Sequence, residues 1–259
     1  MANAFFAPEG DLFAPSELTR GPWDPDAQHA GPPAALIGRA IERCGDPNGR
    51  QVGRVTFEIL RPVPIEPLSV EARVVRPGRS VELIEAELSN GGEVLVRATA
   101  WRIRTQPVEL DPPPPAEPPP PGPDGAAERD FFPTGMDVGY HTAMEYRFVE
   151  GAFLEAGPAT VWMRMRHPLV DGEEATPLQR VLVAADSGNG VSAALDWRRF
   201  LFVNTDLSVH LHRLPATDWV CLDARTFPEE HGVGLADTTL YDEEGRIGRA
   251  AQTLLVRER

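Results

Sequence analysis

Residues 175–213, which read ATPLQRVLVAADSGNGVSAALDWRRFLFVNTDLSVHLHR, decide the fold of this chain. Apolar residues at helical spacing predict an amphipathic helix with Thr176 as its N-cap, interrupted near Gly188. Asp186 comes at the C-terminal end of this helix, where the negative end of the helix dipole disfavours a carboxylate that has no functional role. From Val203 to Leu211 apolar and polar residues alternate, which predicts one half-buried strand. A buried helix carrying an acid therefore leads into a strand that packs near it.

The bulk composition limits the class of protein. The chain has 259 residues, of which 42% are hydrophobic, enough for one large or two small domains with a core. A net charge of −14 argues against nucleic acid or an anionic membrane as the main partner. The two cysteines, Cys44 and Cys221, fit no disulfide framework or zinc spacing. We expect a cytoplasmic protein without membrane insertion, because we find no signal-peptide pattern and no apolar run of ~20 residues.

The rest of the chain predicts a second helix and a series of long strands. Residues 29–44 have a helical apolar stripe that starts near two prolines and ends before Gly45. Residues 106–125 are rich in proline and form an extended linker that cannot pair in a sheet. The remaining alternating segments predict strands at 54–60, 68–75, 80–89, 93–105, 144–148, 160–166, 219–227, 232–241 and 246–256.

The two halves repeat each other at a fixed offset of 152 residues. Glu71-Ala72-Arg73 corresponds to Asp223-Ala224-Arg225, and the same register continues over about forty residues. Each half is then one helix followed by several antiparallel strands, which is an α+β arrangement. The expected organisation is a first repeat over residues 1–105, a linker over 106–130 and a second repeat over 131–259.

One position departs from the repeat in a way that points to function. Gln252 takes the place of Ala100 and shares its strand face with apolar residues. A buried amide without partners costs about 1–3 kcal/mol. Since the first repeat has alanine at this position, the fold itself does not require the amide. Gln252 is either a core amide bonded to backbone or part of a site.

The order of these elements resembles the double-hotdog fold of the acyl-CoA thioesterase II family and its thioesterase-like relatives. The resemblance rests on HAGPPAALIGRAIE (29–42), FEILRPVP (57–64), LVAADS (182–187), NTDLSVHLHR (204–213) and GRIGRAAQTLLV (245–256). It covers nearly the whole chain except the ends and the linker. It implies hydrolysis of an acyl-CoA thioester, a role in lipid metabolism, and no metal or other cofactor.

The resemblance also implies a set of catalytic residues. In the family an aspartate, a glutamine and a threonine or serine position the water that attacks the thioester carbonyl. The matching positions are Asp186, Gln252 and the start of the NTDLSVHLHR strand. There Asn204 stands where the family has a hydroxyl, with Thr205 beside it. Strand alternation places Thr205 on the face towards the helix, unless a bulge brings Asn204 there instead.

Further residues are implied to bind the substrate. His29 and Gly31, at the start of the first helix, can line the site. Arg76 and Arg79 flank a turn and either contact phosphates of coenzyme A or form a solvated basic turn. Backbone N–H groups at a helix start can hold the thioester oxygen. The family also implies a homodimer or higher homo-oligomer.

Two other functions stay open on the sequence. A hotdog dehydratase or hydratase needs an acid–histidine pair, for which His29 is the available partner of Asp186. A non-catalytic acyl-CoA-binding protein is the other, because Asn204 departs from the family hydroxyl. His210 and His212 share one strand face but lack a third zinc ligand, so we interpret them as a surface or interface pair.

Overall fold

The alternating segments of both halves form one long antiparallel sheet. The structure is a computed structural model that describes residues 3–47, 49–113 and 115–259, and within these ranges the sheet has eleven strands. A separate two-stranded ribbon precedes it. The strands are β1 (Phe6–Glu9), β2 (Leu12–Pro15), β3 (Arg50–Ile59), β4 (Ser69–Arg76), β5 (Val81–Asn90), β6 (Glu93–Arg104), β7 (Met144–Glu150), β8 (Ala159–Met165), β9 (Phe200–Asn204), β10 (Asp206–Leu211), β11 (Val220–Pro228), β12 (Val233–Asp242) and β13 (Gly245–Glu258).

The two repeats join where β3 pairs with β10. The sheet runs in the order β4-β5-β6-β3-β10-β13-β12-β11-β8-β7, and β9 pairs with β13. Thr56 faces Ser208 across this junction, with 3.0 Å between their hydroxyl oxygens. These two residues are 152 positions apart, so repeat-equivalent side chains meet at the centre of the sheet. The predicted α+β architecture of two tandem repeats is confirmed.

Two long helices pack against each other inside the sheet. They are α1 (Gly31–Arg43) and α3 (Pro177–Ala185), and two single-turn helices, α2 (Tyr140–Ala143) and α4 (Gly188–Val191), flank α3 in sequence. Thr176 caps α3 as predicted and forms a reciprocal capping box with Gln179. No described helix combines the length and hydropathy required to cross a bilayer.

The helices approach closely because α1 carries glycine at two contact points. A Cβ at Gly31 would lie 2.3 Å from the carbonyl oxygen of Val183, and one at Gly38 would lie 2.4 Å from the side chain of Leu182. At Gly31 a side chain would collide with backbone, and at Gly38 it would require the Leu182 side chain to move. The start of α1 can therefore lie against the last turn of α3.

The prediction of one strand from Val203 to Leu211 is wrong. The segment forms β9 and β10, which both pair with β13 but in different registers. Asn204 lies opposite Leu254 and Ser208 opposite Ala251, so the 204–208 segment contains one more residue than the strand it faces. This bulge reverses the alternation. The side chain of Thr205 is consequently exposed, and Asn204 takes the inward position.

The proline-rich segment lies against the second half of the sheet. The indole of Trp162 donates to the carbonyl oxygen of Pro121 at 2.7 Å, and Arg246 forms an ion pair with Glu117 at 2.9 Å. The N–H of Arg246 also donates to the Glu117 carbonyl at 3.2 Å, so isolated side-chain and backbone contacts hold this part of the segment, and its described residues form no strand of the sheet. The boundaries at 105 and 131 stay a prediction.

Candidate active site

Asp186 occupies a buried position at the end of α3, where three segments of the chain meet. Its side chain is 5% exposed. The side-chain amide of Asn204, at the end of β9, donates to Asp186 Oδ1 at 2.8 Å. Gln252, near the middle of β13, donates to the same oxygen at 3.2 Å and to the Asp186 backbone carbonyl at 3.0 Å. The structure therefore brings together Asp186, Gln252 and Asn204, as the resemblance implies.

The amide of Gln252 is fixed at both ends. Its Oε1 accepts the backbone N–H of Asn189 at 3.1 Å, which leaves the NH₂ group directed at Asp186. The neighbouring Gly188 is in close contact, since a Cβ there would lie 3.0 Å from Gln252 Oε1 and 2.6 Å from Thr238 Oγ1. Gln252 is thus a satisfied buried amide whose donors face the acid.

The second oxygen of Asp186 faces the start of α1. Asp186 Oδ2 lies 3.2 Å from His29 Nδ1, and Gly31 donates its N–H to the same nitrogen at 3.1 Å. The N–H groups of Ala30 and Gly31 also stabilise the carboxylate. The next two residues of α1 are prolines, which have no N–H. The expected backbone donors for a thioester oxygen are therefore already directed at Asp186 and His29.

Burial controls the protonation of both groups. It raises the pKa of Asp186 to about 7, against the opposing effect of the hydrogen bonds from Asn204, Gln252 and the start of α1. Burial lowers the pKa of His29 to about 3, so the imidazole is neutral near pH 7. Because Nδ1 accepts the Gly31 N–H, it carries no proton, and the His29–Asp186 contact is a hydrogen bond while Asp186 is protonated and donates to Nδ1.

Tyr140 is a site residue that the sequence pattern did not reveal. Its ring stacks on His29 with 3.7 Å between centroids and 7° between planes. Its hydroxyl donates to the Val183 carbonyl at 2.7 Å and lies 3.0 Å from Ser187 Oγ. Tyr140 therefore fixes the imidazole plane against the end of α3. It belongs to a single helical turn between proline-rich and strand segments, where no periodic signal exists.

A small apolar cavity adjoins Asp186. Its volume is about 10 Å³, which is roughly that of one water probe. The acid is the single charged residue of its lining, and the others come from the start of α1 and from the central strands: Ala30, Pro33, Ala34, Phe57, Ile59, Val96 and Leu207. The arrangement offers one water-sized position between a carboxylate and apolar side chains.

Three of the predicted site residues lie elsewhere. Thr205 is exposed, and its hydroxyl donates to the Thr253 carbonyl at 3.4 Å. Arg76 and Arg79 belong to the β4–β5 turn, where Arg76 stacks over Trp101 at 5.6 Å. This turn lies beside the end of β6 that is remote from the cavity, roughly 20 Å along the strand.

A metal site does not accompany the cluster. In the described part of the chain, no three histidine, cysteine, aspartate or glutamate side chains are grouped as metal ligands. His210 and His212 are exposed near the end of β10. Their interpretation as a surface or interface pair stays a prediction.

Comparison with known proteins agrees with this architecture. The acyl-CoA thioesterase N-terminal domain matches residues 19–103, and the acyl-CoA thioesterase C-terminal domain matches residues 111–256. The chain belongs to the acyl-CoA thioesterase family. A comparison with curated protein sequences gives no match.

Solved structures show that this thioesterase-family chain has the double-hotdog fold. It is similar to a candidate thioesterase II from Thermobifida fusca (17% identity, TM-score 0.75, 96% of this chain and 93% of that one). It is equally similar to a hotdog-fold protein of unknown function from Alicyclobacillus acidocaldarius (16%, 0.75, 97% and 95%). Acyl-CoA thioesterase II TesB2 from Mycobacterium marinum is a further neighbour (18%, 0.66, 97% and 94%).

Proposed function

We propose that the protein hydrolyses acyl-CoA thioesters with a water molecule activated by Asp186. The observation that carries this proposal is the convergence of Gln252 and Asn204 on one oxygen of a buried acid whose pKa is about 7. A base with such a pKa is ionised in a large fraction of molecules near neutral pH and still accepts a proton effectively. Two amides that hold one oxygen leave the group rigidly oriented.

The reaction follows from this geometry as a single displacement by water. Asp186 takes a proton from the water while the water oxygen bonds to the thioester carbon. The tetrahedral intermediate then breaks its carbon–sulfur bond, and the proton returns from Asp186 to the departing sulfur. The products are a carboxylic acid and the free thiol of coenzyme A. The cavity beside Asp186 supports this role, because its volume of about 10 Å³ is enough for one water next to the acid.

Asn204 acts in this mechanism as a donor that holds the carboxylate. A family hydroxyl could both donate and accept, whereas the Asn204 amide directs an N–H at Asp186 Oδ1 and also contacts the Asp206 carbonyl at 3.3 Å. Thr205 makes no contact of this kind. Asn204 therefore belongs to the site, whereas the adjacent Thr205 belongs only to the bulge.

The experiment is hydrolysis of acyl-CoAs from short to long, including aromatic acyl groups, measured as released thiol. We expect Asp186→Asn and Gln252→Ala to lower kcat by about 10²–10⁴-fold. Asn204→Ala should lower it at least tenfold, while Thr205→Ala, the matched neighbour, should leave it within about twofold. The proposal is overturned if folded wild-type protein hydrolyses none of these acyl-CoAs. It is also overturned if Gln252→Ala keeps full activity.

A second candidate function is dehydration of a 3-hydroxyacyl-CoA or hydration of the enoyl-CoA. The observation that favours it is the 3.2 Å contact between His29 and Asp186, an acid–histidine pair. Formation or loss of the enoyl absorbance with the same panel tests it. If His29→Gln abolishes enoyl turnover and spares thiol release, the pair serves the second reaction. Binding of acyl-CoA without either reaction would leave the non-catalytic alternative.

Association into a homodimer or higher oligomer and a cytoplasmic role in lipid metabolism stay predictions of the resemblance. The described sheet ends at β4 and at β7, and the outer edge of β7 is paired at Phe148 with Ala127. Light scattering on the purified chain measures the association directly.

A further inference from the structure

A second cavity lies near the site and differs from the first in its chemistry. Its volume is about 330 Å³, at the lower end for ligand pockets. Trp23, Phe132 and Trp197 line it, with Arg198 and Arg259. Phe132 stacks on Trp23 with 5.2 Å between ring centroids and lies 5.4 Å from Trp197. The cavity is therefore an aromatic cradle that two cations border.

The two guanidinium groups have no acidic partner in the part of the chain that the structure describes. Arg259 lies 5.9 Å from the ring of Trp23 and donates its Nε–H to backbone carbonyls of Trp197 and Phe200. Arg198 lies 5.1 Å from the ring of Trp197. On a chain with net charge −14, two unpaired cations beside aromatic faces favour an anionic, flat ligand.

The cradle is connected to Asp186 through one strand. Phe202 and Asn204 lie on the same face of β9, two residues apart, and Trp23 packs edge-on against Phe202 at 5.7 Å. The cradle thus begins roughly 12 Å from the residue that holds Asp186. An aromatic, cationic cavity at this distance from Asp186 matches the nucleotide end of an acyl-CoA.

We infer that the cradle of Trp23, Phe132, Trp197, Arg198 and Arg259 binds the adenine nucleotide of the substrate's coenzyme A. The inference rests on the proposed function and adds to it the place where the nucleotide of coenzyme A binds, a part that a carrier-protein thioester lacks. The base stacks on the aromatic faces, the phosphates meet the two arginines, and the pantetheine arm follows β9 to Asp186. The Arg76–Arg79 turn, at the far end of the strands, takes no part.

The first test is binding of adenosine 3′,5′-bisphosphate to the whole protein, followed by calorimetry and by quenching of tryptophan fluorescence. Trp197→Ala and Arg198→Gln should each weaken binding by about tenfold or more. Arg199→Gln is the matched control. It removes the same charge from the same loop, but Arg199 lies over Phe200 and near Glu258, outside the cradle. Its affinity should stay within about twofold of wild type.

The second test compares thioesters with and without the nucleotide. Trp197→Ala and Arg198→Gln should raise KM for acyl-CoA by about tenfold and leave KM for the acyl-N-acetylcysteamine thioester unchanged. No nucleotide binding, or equal effects of Arg198→Gln and Arg199→Gln, would overturn the inference while hydrolysis continues. Turnover of carrier-protein thioesters alone would also overturn it. Nucleotide binding in a protein without thioesterase activity would instead contradict the proposed function, while the assignment of the cradle as a nucleotide site would still hold.

Discussion

Replacement of Asp186 by asparagine should remove activity and at the same time stabilise the protein at alkaline pH. Burial raises the pKa of Asp186 from 3.8 to about 7. The folded state therefore binds the proton more tightly than the unfolded chain, and the stability that this proton contributes is lost as pH rises through about 7. Asparagine does not ionise, so the variant does not carry this dependence.

The magnitude follows from the shift in pKa. At pH 8 the ionised acid lowers the free energy of unfolding by about 4 kcal/mol relative to an unshifted group. At pH 5 the folded acid is protonated and the corresponding loss is about 2 kcal/mol. The advantage of Asp186→Asn over wild type should thus grow by about 2 kcal/mol between pH 5 and pH 8. Contacts that the substitution alters equally at both pH values cancel in this difference.

The assay is thermal unfolding of both proteins at pH 5 and pH 8. A difference of about 2 kcal/mol corresponds to roughly 4–8 °C in the relative Tm for a chain of this size. Asp237→Asn is the control, because its carboxylate is 39% exposed and pairs with Arg249 at the surface. The buried-acid explanation is refuted if Asp186→Asn shifts Tm equally at both pH values.

Three further outcomes follow from the site and the core. The kcat/KM of wild type should rise with pH to a plateau above about 7, and Gln252→Ala should move this midpoint upward, because the amide stabilises the carboxylate. Gly188→Ala should lower kcat at least tenfold by displacing Gln252, whereas Gly190→Ala, whose Cβ would meet open space, should not. Arg102→Met should lower the free energy of unfolding by about 3–5 kcal/mol in urea titrations, since it removes the hydrogen-bonded partner of the buried Glu82 and leaves only Arg50, at 3.8 Å; the exposed Arg97→Gln should change it by less than about 1 kcal/mol.

The sequence by itself determined the elements and their repetition. The helix that Thr176 caps, most strands of both halves and the offset of 152 residues follow from periodicity and register along the chain, whereas the predicted 203–211 strand does not. Asp186 stood out at the end of its helix and Gln252 by replacing Ala100 of the first repeat, and the family resemblance supplied their expected role. These signals are local, so a single chain displays them.

Only the tertiary structure decided which side chains meet. The bulge at Thr205 depends on the register of β9 and β10 against β13, some fifty residues later, and it exchanges the faces of Asn204 and Thr205. The contact of His29 with Asp186 crosses 157 residues and requires the two helices to pack at Gly31. The cradle around Trp23 combines four distant segments. Such contacts result from strand pairing and close packing between remote parts of the chain, which no local periodicity encodes.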